Sequence, residues 1–212
     1  MDVVIAGGHG QIALRLSRLL AARGDRVRGL IRNPDHAGDV EAAGAEPVLA
    51  DLEGDDDISP AVAGADAVVF AAGAGPGSGA TRKRTMDLGG AVKLVEAAQA
   101  TGVPRYVMIS AIGARDPESG SAAMRPYLEA KAEADATVAS SGLDYTIVRP
   151  GGLTDDPGTG RVRAAQGLER GTIPRDDVAA TLVAVLDDPG TVGRSFDLVS
   201  GDEEIARALR RL

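Results

Sequence analysis

The chain has no cysteine and no tryptophan among its 212 residues, and only two histidines. Without cysteine there is no disulfide framework, no thiol nucleophile and no zinc–thiolate site. His9 and His36 stand far apart in the sequence, so no metal site is expected. Aromatic residues make up only 2% of the chain. The core must therefore be Val, Leu, Ile and Ala, which suits strands buried on both faces beneath helices. Positive charge is also short: 23 Lys and Arg against 31 Asp and Glu give a net charge of −8 and a pI of about 4.8. That balance lacks the basic patch of a nucleic-acid protein. No apolar run reaches membrane length. The chain opens directly on a core strand, so it is expected to be soluble and cytoplasmic.

Glycine is plentiful, and one cluster is informative. The run Val3-Val4-Ile5-Ala6-Gly7-Gly8-His9-Gly10-Gln11-Ile12-Ala13 is a strand followed by a G-x-x-G-x-x-A turn. Such a turn, with Gly7, Gly8, His9 and Gly10 leading to Gln11 and Ile12 at the start of a helix, brings backbone N–H groups against a pyrophosphate. Leu14, Leu16, Leu19 and Leu20 form the apolar stripe of that helix, Gly24 ends it, and a second strand follows. The glycines thus sit inside a complete strand–turn–helix–strand unit, as the dinucleotide fingerprint requires. The bland alternative is a structural turn with no ligand.

Strands are expected at Asp2–Ala6, Arg26–Ile31, Glu46–Leu49, Ala67–Ala71, Arg105–Ser110, Asp144–Arg149 and Ser195–Val199. Helices are expected at Gly10–Ala22, Pro34–Ala43, Ile58–Val62, Arg82–Thr101, Ala122–Ser141, Arg175–Asp187 and Asp202–Arg211. Short strands alternating with helices give parallel pairing and right-handed crossovers. The fold class is α/β, a doubly wound, mostly parallel sheet with a small C-terminal substrate-side extension, in one domain spanning 1–212. The stretches near 74–82, 111–126 and 151–173 follow strands and fall on the edge where open α/β sheets bind ligands. The acidic run at 51–57 reads mostly as a solvated loop. The long alanine-rich helices suit either packing between subunits or packing on their own sheet, leaving monomer and homodimer both open.

Many NAD-binding domains carry a ribose-binding acid at the end of the second strand. Here Arg32 occupies that place, followed by Asn33 and Pro34. A guanidinium there pairs with a 2′-phosphate, so NADP(H) is favoured over NAD(H); the alternative is a solvated surface arginine. Asp51 and Leu52, after the third strand, are placed to meet the adenine.

Tyr127 and Lys131 have a Tyr-x-x-x-Lys spacing that puts both on one helix face. A nearby ammonium lowers a phenol pKa, and the same lysine can hold the nicotinamide ribose. Ser110 ends the fifth strand, where its hydroxyl could polarise a carbonyl. Together they describe a proton-transfer site beside a hydride donor. Arg82, Lys83, Arg84, Arg161 and Arg163 could converge on an anion, although solvated loop residues are the simpler reading.

The chain resembles the short-chain dehydrogenase/reductase superfamily over nearly its whole length. The resemblance rests on GGHGQIA, Arg32-Asn33-Pro34, Asp51-Leu52, Ala71-Ala72-Gly73, Ser110, Tyr127/Lys131 and Val148-Arg149-Pro150-Gly151-Gly152-Leu153. The glycine spacing, the R-P-G-G-L segment and the short C-terminal portion are similar to the atypical branch, with its NmrA-like and epimerase/dehydratase-like members. The resemblance implies a Rossmann fold, with Ala71, Ala72 and Gly73 along the adenosine and Pro150, Gly151 and Leu153 flanking the nicotinamide. The catalytic-helix Asn of that family is matched by Asp87. An Asn both donates and accepts, whereas an ionised Asp only accepts. The expected activity is an NADP(H)-dependent oxidoreductase acting on a small carbonyl or hydroxyl substrate of unknown identity, in a group that includes sugar epimerase/dehydratase-like members. The alternatives are a non-enzymatic NADP(H) sensor and a flavin- or tetrapyrrole-type reductase.

Overall fold

The computed structural model describes residues 1–75 and 77–212; Pro76, inside the first of the three substrate-side stretches, lies outside the described residues. The chain runs β1 (Asp2–Ala6), α1 (Gln11–Ala22), β2 (Arg26–Ile31), α2 (Ala37–Ala42), β3 (Glu46–Leu49), α3 (Ser59–Val62) and β4 (Ala67–Phe70). Next come α4 (Ala80–Arg82), a π-helical stretch (Lys83–Gly90), α5 (Ala91–Thr101), β5 (Arg105–Ile109), α6 (Arg125–Ser140) and β6 (Asp144–Pro150). The remainder is β7 (Gly152–Thr154), β8 (Arg161–Ala165), β9 (Thr172–Pro174), α7 (Arg175–Asp187), β10 (Arg194–Ser200), β11 (Glu203–Glu204) and α8 (Ile205–Leu209).

Among the described residues nine strands form one sheet, in the order β11-β8-β10-β6-β5-β4-β1-β2-β3. All pairings from β3 to β10 are parallel, and β8 runs antiparallel to β10 and β11. The apolar runs explain the layering. Val3 and Ile5 face one core, while Val4 and Ala6 face the other. Val107 and Ile109 on β5 likewise oppose Tyr106 and Met108. A strand covered by helices on both sides needs apolar residues at every position, not every second one. Residues of α1, α7 and α8 close the first core; α3, α5 and α6 close the second. α5 and α6 thus bury their apolar faces on the sheet of their own chain. No helix among the described residues is long and apolar enough to cross a membrane.

Several expected elements differ. The single helix at Arg82–Thr101 is α4, the π stretch and α5 in succession. A π turn inserts a residue into the helical period, and here it turns the adjacent Met86 and Asp87 both inward. Gly89 and Gly90, poor helix formers, sit at its end. The Pro34–Ala43 helix is a 3₁₀ turn followed by α2, and the Ala122–Ser141 helix starts only at Arg125, with Pro126 in its first turn. Asp202–Arg211 is β11 followed by α8. The stretch read as irregular after residue 151 contains β7, β8 and β9. β8 pairs only antiparallel, with β10 and β11, which an alternating strand–helix pattern does not announce. In α1 the buried stripe is Ile12, Ala13, Leu16 and Leu20, whereas Leu19 is exposed.

The segment between β7 and β8 is tied to α7 by one buried carboxylate. Asp177 accepts from Thr159 N (2.9 Å), Gly160 N (2.8 Å) and Thr159 Oγ1 (3.1 Å). Replacing Asp177 with Ala strands these donors and is expected to cost about 2–4 kcal/mol. Urea denaturation checks this: the midpoint falls at unchanged slope, and Asp177→Asn, which keeps one acceptor oxygen, loses less.

Candidate nucleotide cleft and proton-transfer site

The strand order reverses at β1, which has β2 on one side and β4 on the other. The crevice beyond the carboxyl ends of β1 and β4 is where such sheets bind ligands. Gly7 leaves β1 at φ +81°, and a Cβ there would lie 2.6 Å from Ala72 Cα. Only glycine lets the turn after β1 pass so close to the chain after β4. Gly10 N–H donates to Gly7 O at 2.8 Å and closes the turn. No side chain caps α1, and its first turn carries no acidic residue, so its N-terminal amides suit an anion.

The cleft so formed encloses about 250 Å³. Its lining brings together Gly7, His9, Gly10, Arg32, Asp51, Leu52, Ala71, Ala72 and Gly73 from the sequence-derived set. Leu30, Ile31, His36, Ala50 and Met86 complete it. Eight expected residues are not in that lining: Lys131, Pro150, Gly151 and Leu153, described below, and four from the glycine turn and the end of β2. Gly8 donates its N–H to Leu30 O at 2.9 Å, and a Cβ on it would lie 2.7 Å from Gly29 Cα, so it serves turn-to-strand packing. Ile12 is buried in the core. Asn33 Oδ1 accepts from Asp35 N at 3.0 Å, and Gln11 Oε1 accepts from Arg15 at 3.2 Å.

The two histidines are not apart in space. Their rings stack with centroids 3.7 Å apart beside the cleft, because the turn after β2 folds back over the glycine turn. His9 Nε2 also meets Asp39 Oδ2 at 2.7 Å. Nor is the acidic loop merely solvated. Glu53 Oε2 lies 3.0 Å from Arg32 and 3.4 Å from Arg82, and its Oε1 accepts from Thr85 Oγ1 at 2.6 Å. The five loop cations do not converge. Arg84 pairs with Glu133 on α6, Lys83 reaches Ala123 O, and Arg161 donates to Asp202 O, while Arg161 and Arg163 both lie on β8.

The second constellation lies on α6. Tyr127, Lys131 and Asp135 follow one another at four-residue intervals and so share one face. Lys131 is 3% exposed and Asp87 is fully buried; Lys131 Nζ lies 3.2 Å from Asp87 Oδ1. That contact is an ion pair outside hydrogen-bond geometry, for Oδ1 has no hydrogen-bond partner. Nζ donates to Ile109 O at 3.2 Å and sits 5.3 Å from the Phe70 ring centre and 5.9 Å from that of Tyr127. Asp87 Oδ2 accepts from Ala74 N at 3.3 Å, which links this cluster to the cleft floor.

The Tyr127 phenol does not behave as the spacing alone suggests. Burial raises its pKa, and the Asp87 and Asp135 carboxylates raise it further. The Lys131 ammonium is balanced by Asp87, so it does not pull the phenol toward tyrosinate. Ser110, 5% exposed, ends β5 with its N–H on Val148 O and its Oγ without a partner. Pro150 ends β6, Gly151 N–H donates to Leu198 O at 2.9 Å, and Leu153 on β7 is exposed. Sequence reasoning missed Asp135, which pairs with Arg149 Nε at 2.7 Å. Extending the Tyr-x-x-x-Lys interval by one more turn would have found it.

A family model described as NAD(P)H-binding matches residues 7–189. The chain belongs to this family. It is 47% identical to a Bacillus subtilis protein called uncharacterized sugar epimerase YhfK, over 100% of both chains. A solved Bacillus halodurans structure, provisionally named an NAD-dependent epimerase/dehydratase, is 38% identical and superposes with a TM-score of 0.95 over 100% of each chain. The Lactococcus lactis oxidoreductase ylbE is 26% identical, with a TM-score of 0.87 over 100% of this chain and 96% of that one. The cofactor class is therefore a nicotinamide dinucleotide. The open end of α1 and the close approach at Gly7 fit its pyrophosphate.

Removing one member of a buried ion pair leaves an uncompensated charge. Lys131→Met is expected to destabilise the fold by about 3–5 kcal/mol. Lys131→Met combined with Asp87→Asn is expected to recover part of that loss. Denaturant unfolding of the two single variants and the double variant measures the coupling.

Proposed function

We propose that the chain is an NADP(H)-dependent oxidoreductase that works in the reducing direction on a small carbonyl compound. The observation that carries this reading is Tyr127, a half-buried phenol on one helix face with Lys131, whose surroundings hold it protonated. A phenol that stays protonated is in the state that can give a proton to a developing alkoxide, which is more basic still. When bound, the reduced nicotinamide supplies the hydride that forms the new C–H bond at the carbonyl carbon. Tyr127 breaks its O–H bond and delivers that proton to the carbonyl oxygen, leaving an alcohol. Solvent then reprotonates the tyrosinate. Ser110 donates to the same carbonyl oxygen and polarises it.

NADP(H) rather than NAD(H) is supported by two guanidinium groups, Arg32 and Arg82, sharing the single Glu53 carboxylate. The excess positive charge suits a 2′-phosphate. The name of the Bacillus subtilis relative suggests sugar chemistry. Residues beyond Gly152, however, extend the sheet and add α7 and α8 rather than a separate lobe, which favours a small substrate over a nucleotide sugar. A second reading, an NADP(H) sensor without turnover, is favoured by Lys131 itself. Its ammonium is already engaged by Asp87 and Ile109 O and is not free for a ribose.

Fluorescence titration with NADPH and NADH, followed by turnover on a panel of small aldehydes and diketones, separates these readings. Arg32→Ala is expected to weaken NADPH about tenfold or more while leaving NADH unchanged. Tyr127→Phe is expected to retain NADPH binding and lose about 10²–10⁴-fold in turnover. Equal turnover in Tyr127→Phe would sink the assigned role, and NADPH binding with no turnover on any carbonyl would favour the sensor.

A further inference from the structure

Behind Ser110 lies a polar cluster that the proposed reaction does not yet use. Asp135 and Ser110 are each 5% exposed. Arg149 Nε donates to Asp135 Oδ2 at 2.7 Å, but Asp135 Oδ1 and Ser110 Oγ both lack a hydrogen-bond partner. Two unsatisfied polar oxygens in a dry interior are costly, and these two are neighbours: Ser110 N–H donates to Val148 O, and the next residue, Arg149, holds Asp135. The Ser110 hydroxyl stands close enough to favour the ionised form of Asp135 without closing a hydrogen bond to it.

The chemistry of the pair is asymmetric. A hydroxyl has one proton to give and two lone pairs, whereas an ionised carboxylate has only lone pairs. If Asp135 is ionised, the pair closes only when Ser110 donates its sole proton backwards. Ser110 then offers nothing but lone pairs to the site. If Asp135 is protonated, it donates to Ser110, and the Ser110 proton is free to point at a carbonyl oxygen. Resting on the reading of Ser110 and Tyr127 as the groups that meet the carbonyl, we propose that Asp135 is a positioning residue that sets the direction in which Ser110 donates.

The groups around Asp135 oppose one another. Arg149 from β6 favours its charge, as do Lys131 on its own helix and Ser110 at the end of β5, while burial disfavours it. Burial prevails, and the carboxyl is raised above its ordinary value. Asp197 on β10 lies beside Arg149 in register, opposite in charge to that guanidinium, and Tyr127 stands two turns away on α6. Asp197 itself is held by Arg115 and the Gly167 and Leu168 N–H groups. The sign follows directly: Asp135 is neutral below its raised pKa, so Ser110 points forward there. The forward orientation is lost as pH rises through that value.

The test uses the full chain labelled with ¹³C at the aspartate carboxyl carbons and titrated by NMR. Asp135→Asn identifies the Asp135 resonance, and Asp135→Glu serves this purpose if the Asn variant does not fold. Ser110→Ala is expected to raise the Asp135 midpoint by about half a pH unit or more, while Tyr127→Phe leaves it in place. An unmoved midpoint in Ser110→Ala overturns the proposal. With NADPH and 2,3-butanedione as the probe, wild-type kcat is expected to fall about tenfold for each pH unit above the Asp135 midpoint. The Asn amide of Asp135→Asn donates at every pH, so that decline is expected to vanish, with KM for NADPH unchanged. A decline retained in Asp135→Asn overturns the directing role. A wild type without turnover overturns the reading of the function, whereas the coupling of Asp135 to Ser110 is decided by the carboxyl resonance alone.

Discussion

The buried pair of Lys131 and Asp87 is the constraint on which the site depends. Both groups are almost wholly removed from water, among Phe70, Met86 and the end of β5. Either charge alone would cost several kcal/mol in that setting. The two must therefore meet whenever the chain is folded. Lys131 lies on α6 and Asp87 on the π-helical stretch, so their meeting fixes α6 against the carboxyl ends of β4 and β5. Tyr127 and Asp135, one turn to either side of Lys131, are placed by the same event. The π-helical stretch belongs to this arrangement, because it carries Met86 and Asp87 inward together.

The pair also decides the electrostatics of Tyr127. An ammonium alone beside a phenol lowers its pKa, whereas burial raises it. Here the ammonium of Lys131 is offset by Asp87, and the guanidinium of Arg149 is offset by Asp135. Neither cation draws the phenol toward tyrosinate; burial raises its pKa most, and the Asp87 and Asp135 carboxylates raise it further. Asp87 thus does more than accept a hydrogen bond. It makes Lys131 half of an ion pair and adds to the effects that keep the Tyr127 phenol protonated.

The sheet and the nucleotide cleft were legible in the sequence because local rules encode them. β-branched runs, helix-ending glycines and the G-x-x-G turn are read within a few residues of one another, and β1, β2, β3 and α7 have the expected bounds. Ala71, Ala72 and Gly73 reach the cleft because β4 lies beside β1, a consequence of topology that strand–helix alternation already implies. What stayed hidden depends on contacts between distant segments. Glu53 meets Arg32 and Arg82 across three loops. His9 and His36 stack because two turns fold together. β8 joins the sheet only through β10 and β11. Tyr127 and Lys131 were found by spacing, but the state of the phenol was misjudged, since Asp87 and Asp135 lie 40 residues before and eight residues after it.

Cleft and proton-transfer site are joined through a single side chain. Asp87 Oδ1 faces Lys131, while its Oδ2 accepts from Ala74 N in the chain that leaves the cleft at Gly73. Space there is short: a Cβ on Gly73 would lie 3.3 Å from Asp87 Oδ1. The same stretch meets the glycine turn, since Ala72 is the neighbour that forbids a side chain on Gly7. Gly7, Ala72, Gly73, Ala74, Asp87 and Lys131 therefore form one unbroken line of close contacts from the pyrophosphate end of the cleft to Tyr127. A site built on such a line holds Tyr127 and Lys131 in place relative to the glycine turn. The glycines of the turn and the acid of the π stretch then answer to the same geometric requirement.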